Sequence, residues 1–316
     1  MSACDTPLET PGEPAAPVRL PQEEESPELD QAAIVALQDR FLDDMEAILA
    51  ETASGGGKRV VLLSGGSDSF LIVAVLRHLL PDAPLHTVTI RGDDPREAEG
   101  AEAVAAHFRT DHLVRQVTVD EILAHLHLVR GTGYERPGKV FSHICYQLAL
   151  TSCDIAGAIV YTGHGGDILQ GNDDHIYAHI DASAEAQGVS PDELRTRLKS
   201  EYYERSQAAF FAGAVGETGR HVASLVEALG GQIVLPYRDP RLAYVSRIPY
   251  EVLRPAEKRF VKDALRRRYG LGDIVERRRL SIQQGTGIYK SFKARLQELA
   301  RSQGLSRGEL VARLSA

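Results

Sequence analysis

Arg59-Val60-Val61-Leu62-Leu63-Ser64-Gly65-Gly66-Ser67-Asp68-Ser69-Phe70-Leu71 is the stretch that decides the fold. An apolar run, Val60–Leu63, has the length of a buried strand and passes into a Ser/Gly loop. That loop opens directly into a helical pattern. Small residues let backbone N–H groups approach an anion, and a helix N-terminus adds the positive end of its dipole. The loop lacks the Lys-Ser/Thr ending of a Walker A sequence and is not GxGxxG. Asp68 is the anomaly, because a carboxylate repels phosphate unless a cation lies between them. Mg²⁺ bridging Asp68 and a polyphosphate resolves the conflict. The plainer alternative is a glycine turn with Asp68 as a helix-start carboxylate.

Outward from this loop the pattern alternates. A helix is expected from about Ser69 to Leu80, a strand over Leu85–Ile90 and a helix near Glu97–Phe108. A strand over Leu113–Val119, a helix near Phe141–Cys153 and a strand over Ala158–Tyr161 follow. Such alternation implies an α/β fold, a doubly wound parallel sheet with helices on both faces. Upstream, Asp30 can cap a helix whose apolar positions are Ile34, Leu37, Phe41, Met45 and Ile48, and Ser54-Gly55-Gly56-Gly57 ends it. After Gly171 the segments Pro191–Phe211, Gly219–Leu229, Pro255–Tyr269, Ser291–Arg301 and Ser306–Leu314 all read as helices without clear strand alternation. A mostly helical C-terminal half, packed on the carboxyl edge of the sheet, is the expectation.

The chain has 316 residues, 43% hydrophobic, 25% charged and 6% aromatic, with a net charge of −8. Eight acids and a single base fall in residues 1–30, together with six prolines, so the rest of the chain is close to neutral. Residues 1–29 are therefore expected to be a disordered acidic, Pro-rich tail. Residues 30–57 are read as an N-terminal helix and Gly linker, and residues 58–316 as one catalytic domain. Cys4, Cys145 and Cys153 include no CxxC pair, which excludes a disulfide scaffold and disfavours a cysteine zinc site. Cys145 and Cys153 read as small core residues. Neither a signal peptide nor an uncharged run of membrane-spanning length is visible, so a cytoplasmic protein without a membrane partner is expected.

A second loop, Tyr161-Thr162-Gly163-His164-Gly165-Gly166-Asp167-Ile168-Leu169-Gln170-Gly171, follows the last of these strands. Glycines and an acid at the end of a parallel strand stand where ligands bind in open α/β sheets. Asp68 and Asp167, from two strand ends, could together hold one or two Mg²⁺ ions on a triphosphate.

Ser64–Ser69 resembles the SGGxDS signature of the ATP pyrophosphatase, or PP-loop, family. The second loop resembles the GEGxDE segment of asparagine synthetase, and still more the GYGxDI segment of beta-lactam and carbapenam synthetases. Leu235–Leu242 looks like that group's PFxD stretch. Glu257-Lys258-Arg259-Phe260-Val261 is similar to the helix bearing a phosphate-binding lysine, and Arg277–Gly287 resembles the mobile RxKxxxxxGxG loop. The resemblance spans roughly residues 58–295, the synthetase domain, and nothing in the chain resembles the glutaminase domain of asparagine synthetase. It implies an adenine nucleotide alpha hydrolase-like fold and ATP with Mg²⁺ as cofactors. It also implies adenylation of a small-molecule carboxylate, release of pyrophosphate and acyl transfer to an amine. A role in secondary metabolism such as antibiotic biosynthesis, and a possible homodimer, follow by the same resemblance.

By that resemblance Ser64, Gly65, Gly66, Ser67, Asp68, Ser69, Val88, Gly163 and Lys258 would bind the nucleotide, and Asp68 and Asp167 the metal. Lys258, Arg279, His164 and Glu217 would be catalytic. His164 stands where asparagine synthetase has Glu and the lactam-forming enzymes a catalytic Tyr; it reads equally as the base that deprotonates the amine or as a loop histidine shaping the pocket. Arg279 stands at the loop lysine and would stabilise charge without transferring a proton. Glu217 is the acid nearest the position of the lactam-forming glutamate. Ten basic residues against four acids between Arg254 and Arg279 suit a pyrophosphate cage, with Arg266–Arg268 read as a solvated basic face. Two other functions compete: a PP-loop nucleotide or tRNA modifier gripping RNA with this basic region, and an ATP-binding protein that has lost its chemistry. A nucleic-acid partner is the less expected.

Overall fold

The computed structural model describes residues 29–134, 136–171, 180–212, 218–253, 258–272 and 285–316. Helix α1, Gln31–Ala53, starts where expected: the Asp30 carboxylate accepts from the Ala33 amide at 2.7 Å. Strand β1, Arg59–Leu62, leads to α2, Ser67–Leu79; then come β2, His86–Arg91, and α3, Arg96–His107. Strand β3 covers Asp111–Gln116, beginning two residues before the expected start because its outer face is polar and half exposed and gives no apolar run. A short helix capped by Thr118, α4 (Val119–Ala124), was not anticipated. Helix α5 is Pro137–Ser152 and strand β4 is Ile159–Thr162.

With a last strand β5 at Gln232–Val234, the strands form one parallel sheet in the order β3-β2-β1-β4-β5. The chain builds outward from β1 to β3, then returns to the other side of β1 to lay down β4. Ligands in open α/β sheets bind at such a reversal, here between the carboxyl ends of β1 and β4. Alternation along the strands serves both faces. Val61, Leu63, Ile159 and Tyr161 join the core with α1, α2 and α3, whereas Val60, Leu62 and Val160 join that of α5 and of Val222 and Leu225 further along the chain.

The second half is helical, with one correction. Gln232–Val234 forms a fifth strand, β5, on the outer edge of β4. A three-residue strand between helices has no readable period, so no pattern marks it. The helices are α6 (Gly166–Gln170), α7 (Ile180–Gln187), α8 (Pro191–Phe211) and α9 (Thr218–Ala228). After 3₁₀ turns at Pro236–Arg238 and Pro240–Arg247 come α10 (Tyr250–Leu253), α11 (Arg259–Tyr269), α12 (Tyr289–Ser302) and α13 (Arg307–Ser315). Helix α11 packs on α1 and α2, while α12 and α13 bury Phe292, Leu296 and Leu310 against α5.

Arg266–Arg268 lie on a partly exposed face, as expected, but their guanidinium groups are paired with acids. Arg267 reaches Asp39 at 2.6 Å, Arg268 reaches Asp43 at 2.6 Å and Glu46 at 3.2 Å, and Arg266 pairs with Asp263. The acids of α1 thus neutralise the outer side of α11, and Phe41 packs on Phe260 beneath them. Cys145 is buried, and burial pushes the Cys153 thiol up to about 11, as inert core thiols require. Among the described residues no helix is long and apolar enough to cross a membrane.

Candidate functional site

The loop after β1 is knitted by one hydroxyl. Ser69 Oγ accepts from the Ser64 amide at 3.1 Å and lies 3.1 Å from the Gly66 carbonyl and 3.2 Å from Ser64 Oγ. Ser64 Oγ in turn accepts from the Gly66 amide at 3.3 Å. Ser64 and Ser69, both expected to touch phosphate, are therefore first of all what shapes the loop. Gly66 is the N-cap of α2 and supplies no side-chain acceptor, so the first-turn amides keep their capacity for an anion. Ser67 Oγ is buried and has no hydrogen-bond partner among the described residues.

Asp68, in the first turn of α2, is only 4% exposed. Gln170 Nε2 donates to one of its oxygens at 3.1 Å, and Lys258 Nζ donates to the other. The same ammonium lies 2.7 Å from Asp167 Oδ1. The structure thus brings Asp68, Asp167 and Lys258 together from three parts of the chain. Close approach demands glycine on the facing loop: a Cβ at Gly166 would lie 2.6 Å from Asp68 Cγ, and one at Gly163 would lie 3.1 Å from Asp68 Cβ. Gly165 has φ +95, a left-handed conformation that turns the chain sharply into α6.

Between the two loops opens a pocket lined by Ser64, Asp68, Ser69, Gly163, His164 and Asp167 on one side. Val88, Thr89 and Ile90 at the end of β2 close the other, so Val88 lines this pocket. Thr89 Oγ1 donates to the Leu63 carbonyl at 2.6 Å, tying this wall to the end of β1. The His164 ring packs edge-on against Tyr146 of α5, centroids 5.5 Å apart, at the pocket wall. Beyond Tyr146, Tyr134 bonds His143 Nδ1 at 2.7 Å, and its ring packs, tilted, against His221 with centroids 4.5 Å apart. Burial, reinforced by His143, Lys139 and Arg220, pushes His221 down to about 4, so it is neutral at pH 7.

Several contributors went unnoticed in the sequence. Gln170 had no signal beyond its place in the second loop. Tyr237 donates to the Asp68 carbonyl at 3.0 Å, and the buried Arg238 lies under Gly165, its guanidinium held by Gln207 at 2.8 Å. Both belong to the stretch Leu235–Leu242, whose likeness to PFxD was the available clue. Glu217 and Arg279 lie outside the described residues, as do 254–257. The far end of the expected mobile loop is described: the Thr286 carbonyl accepts from the Asp94 amide at 3.2 Å, beside the pocket-lining end of β2.

Two carboxylates converging on one point already held by an ammonium are hard oxygen donors suited to Mg²⁺. Among the described residues no cluster of three or more His, Cys, Asp or Glu could hold a metal by itself, so the remaining ligands would come from phosphate and water. The residues fit the ion: Asp68 and Asp167 would hold it, and it would neutralise polyphosphate charge there.

Two glycine-rich loops on adjacent parallel strand ends, with a helix N-terminus and a cation-bridged carboxylate pair between them, describe an α/β domain fitted to an anionic ligand. The chain belongs to the asparagine synthase family, whose model matches residues 49–228. Its members are ATP-dependent ligases. The matched span runs through both loops to the end of α9 and stops short of Lys258. No curated protein matches the chain.

Proposed function

We propose that this protein is an amide-forming synthetase that adenylates a small-molecule carboxylate and passes the acyl group to an amine. A substrate carboxylate oxygen attacks the α-phosphorus of ATP, the α–β P–O bond breaks and pyrophosphate leaves. The amine then attacks the acyl carbon, the bond to AMP breaks and the amine proton goes to a base. The observation that carries this reading is the meeting of Asp68, Asp167 and Lys258 beside the Ser64–Ser69 loop.

Each residue has a task that follows from its place. The α2 N-terminus and the loop amides receive phosphate oxygens, and Asp68 with Asp167 would hold Mg²⁺. Lys258 stabilises the departing pyrophosphate, as a preorganised cation in a water-poor site can. Val88 and Ile90 offer an apolar wall to the nucleobase. His164, at the wall on the β4 side, is the base that accepts the amine proton. The Asp167-Ile168 pair, nearer the lactam-forming pattern than that of asparagine synthetase, supports a role in secondary metabolism. The RNA-gripping alternative is less favoured, because two bases of that region, Arg267 and Arg268, are engaged by the acids of α1.

The experiment is pyrophosphate release from ATP with a panel of carboxylates, with hydroxylamine to trap an acyl-adenylate as its hydroxamate. Carboxylate-dependent pyrophosphate with AMP as co-product supports the reading. ATP cleavage to ADP and phosphate, or pyrophosphate release from wild type and Asp68→Asn alike, overturns it.

A further inference from the structure

The Asp68–Asp167 pair is not simply a pair of acids awaiting a metal. Lys258 fills the point between them, with its side chain 5% exposed and its ammonium on both carboxylates. The other oxygen of Asp68 accepts from Gln170 at 3.1 Å, which fixes the orientation of this carboxylate toward Lys258. Lys258 reaches the position from a left-handed backbone, φ +52, at the N-cap of α11. Such a conformation in a residue with a side chain carries strain and persists where the surroundings enforce it. The lysine is thus built into the place a divalent ion would take.

We infer that Lys258 is the resident counter-ion of the carboxylate pair, and that it must leave before a divalent ion can enter. This rests on the reading of the site as one for a metal–nucleotide complex. A tethered ammonium competes without the translational cost that a free ion bears, so the pair favours Lys258 over a divalent ion arriving alone. A polyphosphate changes the balance by offering the ammonium other anionic oxygens within the same pocket. Lys258 therefore ties metal entry to nucleotide entry, a coupling that is reciprocal by thermodynamic necessity. Free divalent ion is held off and the nucleotide-bound ion is admitted.

The test is Mn²⁺ binding to the full chain, followed by paramagnetic resonance of the free ion, with and without α,β-methylene-ATP. Wild type is expected to bind Mn²⁺ alone weakly and at least tenfold more tightly with the analogue. Lys258→Met is expected to bind Mn²⁺ alone at least tenfold more tightly than wild type, with the enhancement by nucleotide reduced. Lys262→Met removes the same charge one turn further along α11 and should change Mn²⁺ binding by less than threefold. Should Lys258→Met not fold, Lys258→Gln, which keeps a donor for Asp68, gives the same comparison. Equal Mn²⁺ affinity in wild type and the Lys258 variant overturns the inference, as does equal tightening by Lys262→Met. If wild type binds no Mn²⁺ even with the analogue, the metal–nucleotide reading itself fails.

Discussion

Gly166→Ala is the sharpest probe of the carboxylate pair, because it adds one methyl group at a known distance from it. The backbone tolerates the change: Gly166 is the first helical residue of α6 and is not among the positive-φ glycines, where a side chain would be strained. The methyl carbon would lie 2.6 Å from Asp68 Cγ and 3.0 Å from each carboxylate oxygen. Carbon atoms pack at about 3.5 Å or more, so the carboxylate must retreat by roughly 1 Å. Gln170 and Lys258 hold both its oxygens, so the retreat breaks at least one of these links. A displacement of about 1 Å in a positioned group costs on the order of 10²-fold in rate. The assay is single-turnover pyrophosphate release at saturating ATP, with melting curves alongside. Gly56→Ala, where an added Cβ meets nothing within 4 Å, serves as the control and should be neutral. Pyrophosphate release by Gly166→Ala within threefold of wild type would refute the argument that Asp68 must stand where it does.

Asp68→Asn and Asp167→Asn should each abolish ATP cleavage while circular dichroism remains that of the wild type. His164→Ala should leave carboxylate-dependent pyrophosphate release intact but block amide product, which parallel assays of the two products in one time course would show. Lys199 of α8 is buried, with its ammonium on the Ile248 carbonyl, and burial pushes it down to about 7 against the opposing effect of Glu251. The unfolded chain holds that proton up to about pH 10.5 and the folded chain releases it from about 7, so stability should rise with pH between the two. Urea unfolding at pH 7 and 10 should therefore show Lys199→Met ahead of wild type by about 1–3 kcal/mol at pH 7 and by less at pH 10. A pH-independent gap would show that Lys199 does not titrate there.

Much of the site was legible because it is local. The β1 loop, the β4 loop and their two acids are contiguous motifs, each with a strand before it and a helix after it. Lys258 could be picked out by likeness alone, since no spacing in the sequence announces that it meets Asp68 across 190 positions. What stayed hidden was long-range or short-lived along the chain. Strand β5 is too brief to show a period, and β3 half-faces solvent. The pairing of Arg267 and Arg268 with α1 joins residues more than 220 apart, so a basic run that looked solvated proved to be spoken for. Gln170 and Arg238 are polar residues buried by tertiary packing, against the ordinary tendency of their types.

The parallel pairing of β1 with β4, Arg59 opposite Ile159, also sets a schedule for the nascent chain. Asp68 leaves the ribosome long before the residues that will hold it: Gln170 follows 102 positions later and Lys258 another 88 after that. At translation speeds of about 5–20 residues per second, the whole interval is roughly 10–40 s. Until β4 follows, about 100 residues behind β1, the sheet carries an open edge on β1, and until Lys258 follows Asp68 is a carboxylate without its ammonium. A chain stalled before α11 would therefore have made all five strands but not Lys258, leaving an unneutralised centre for quality-control proteases to act upon.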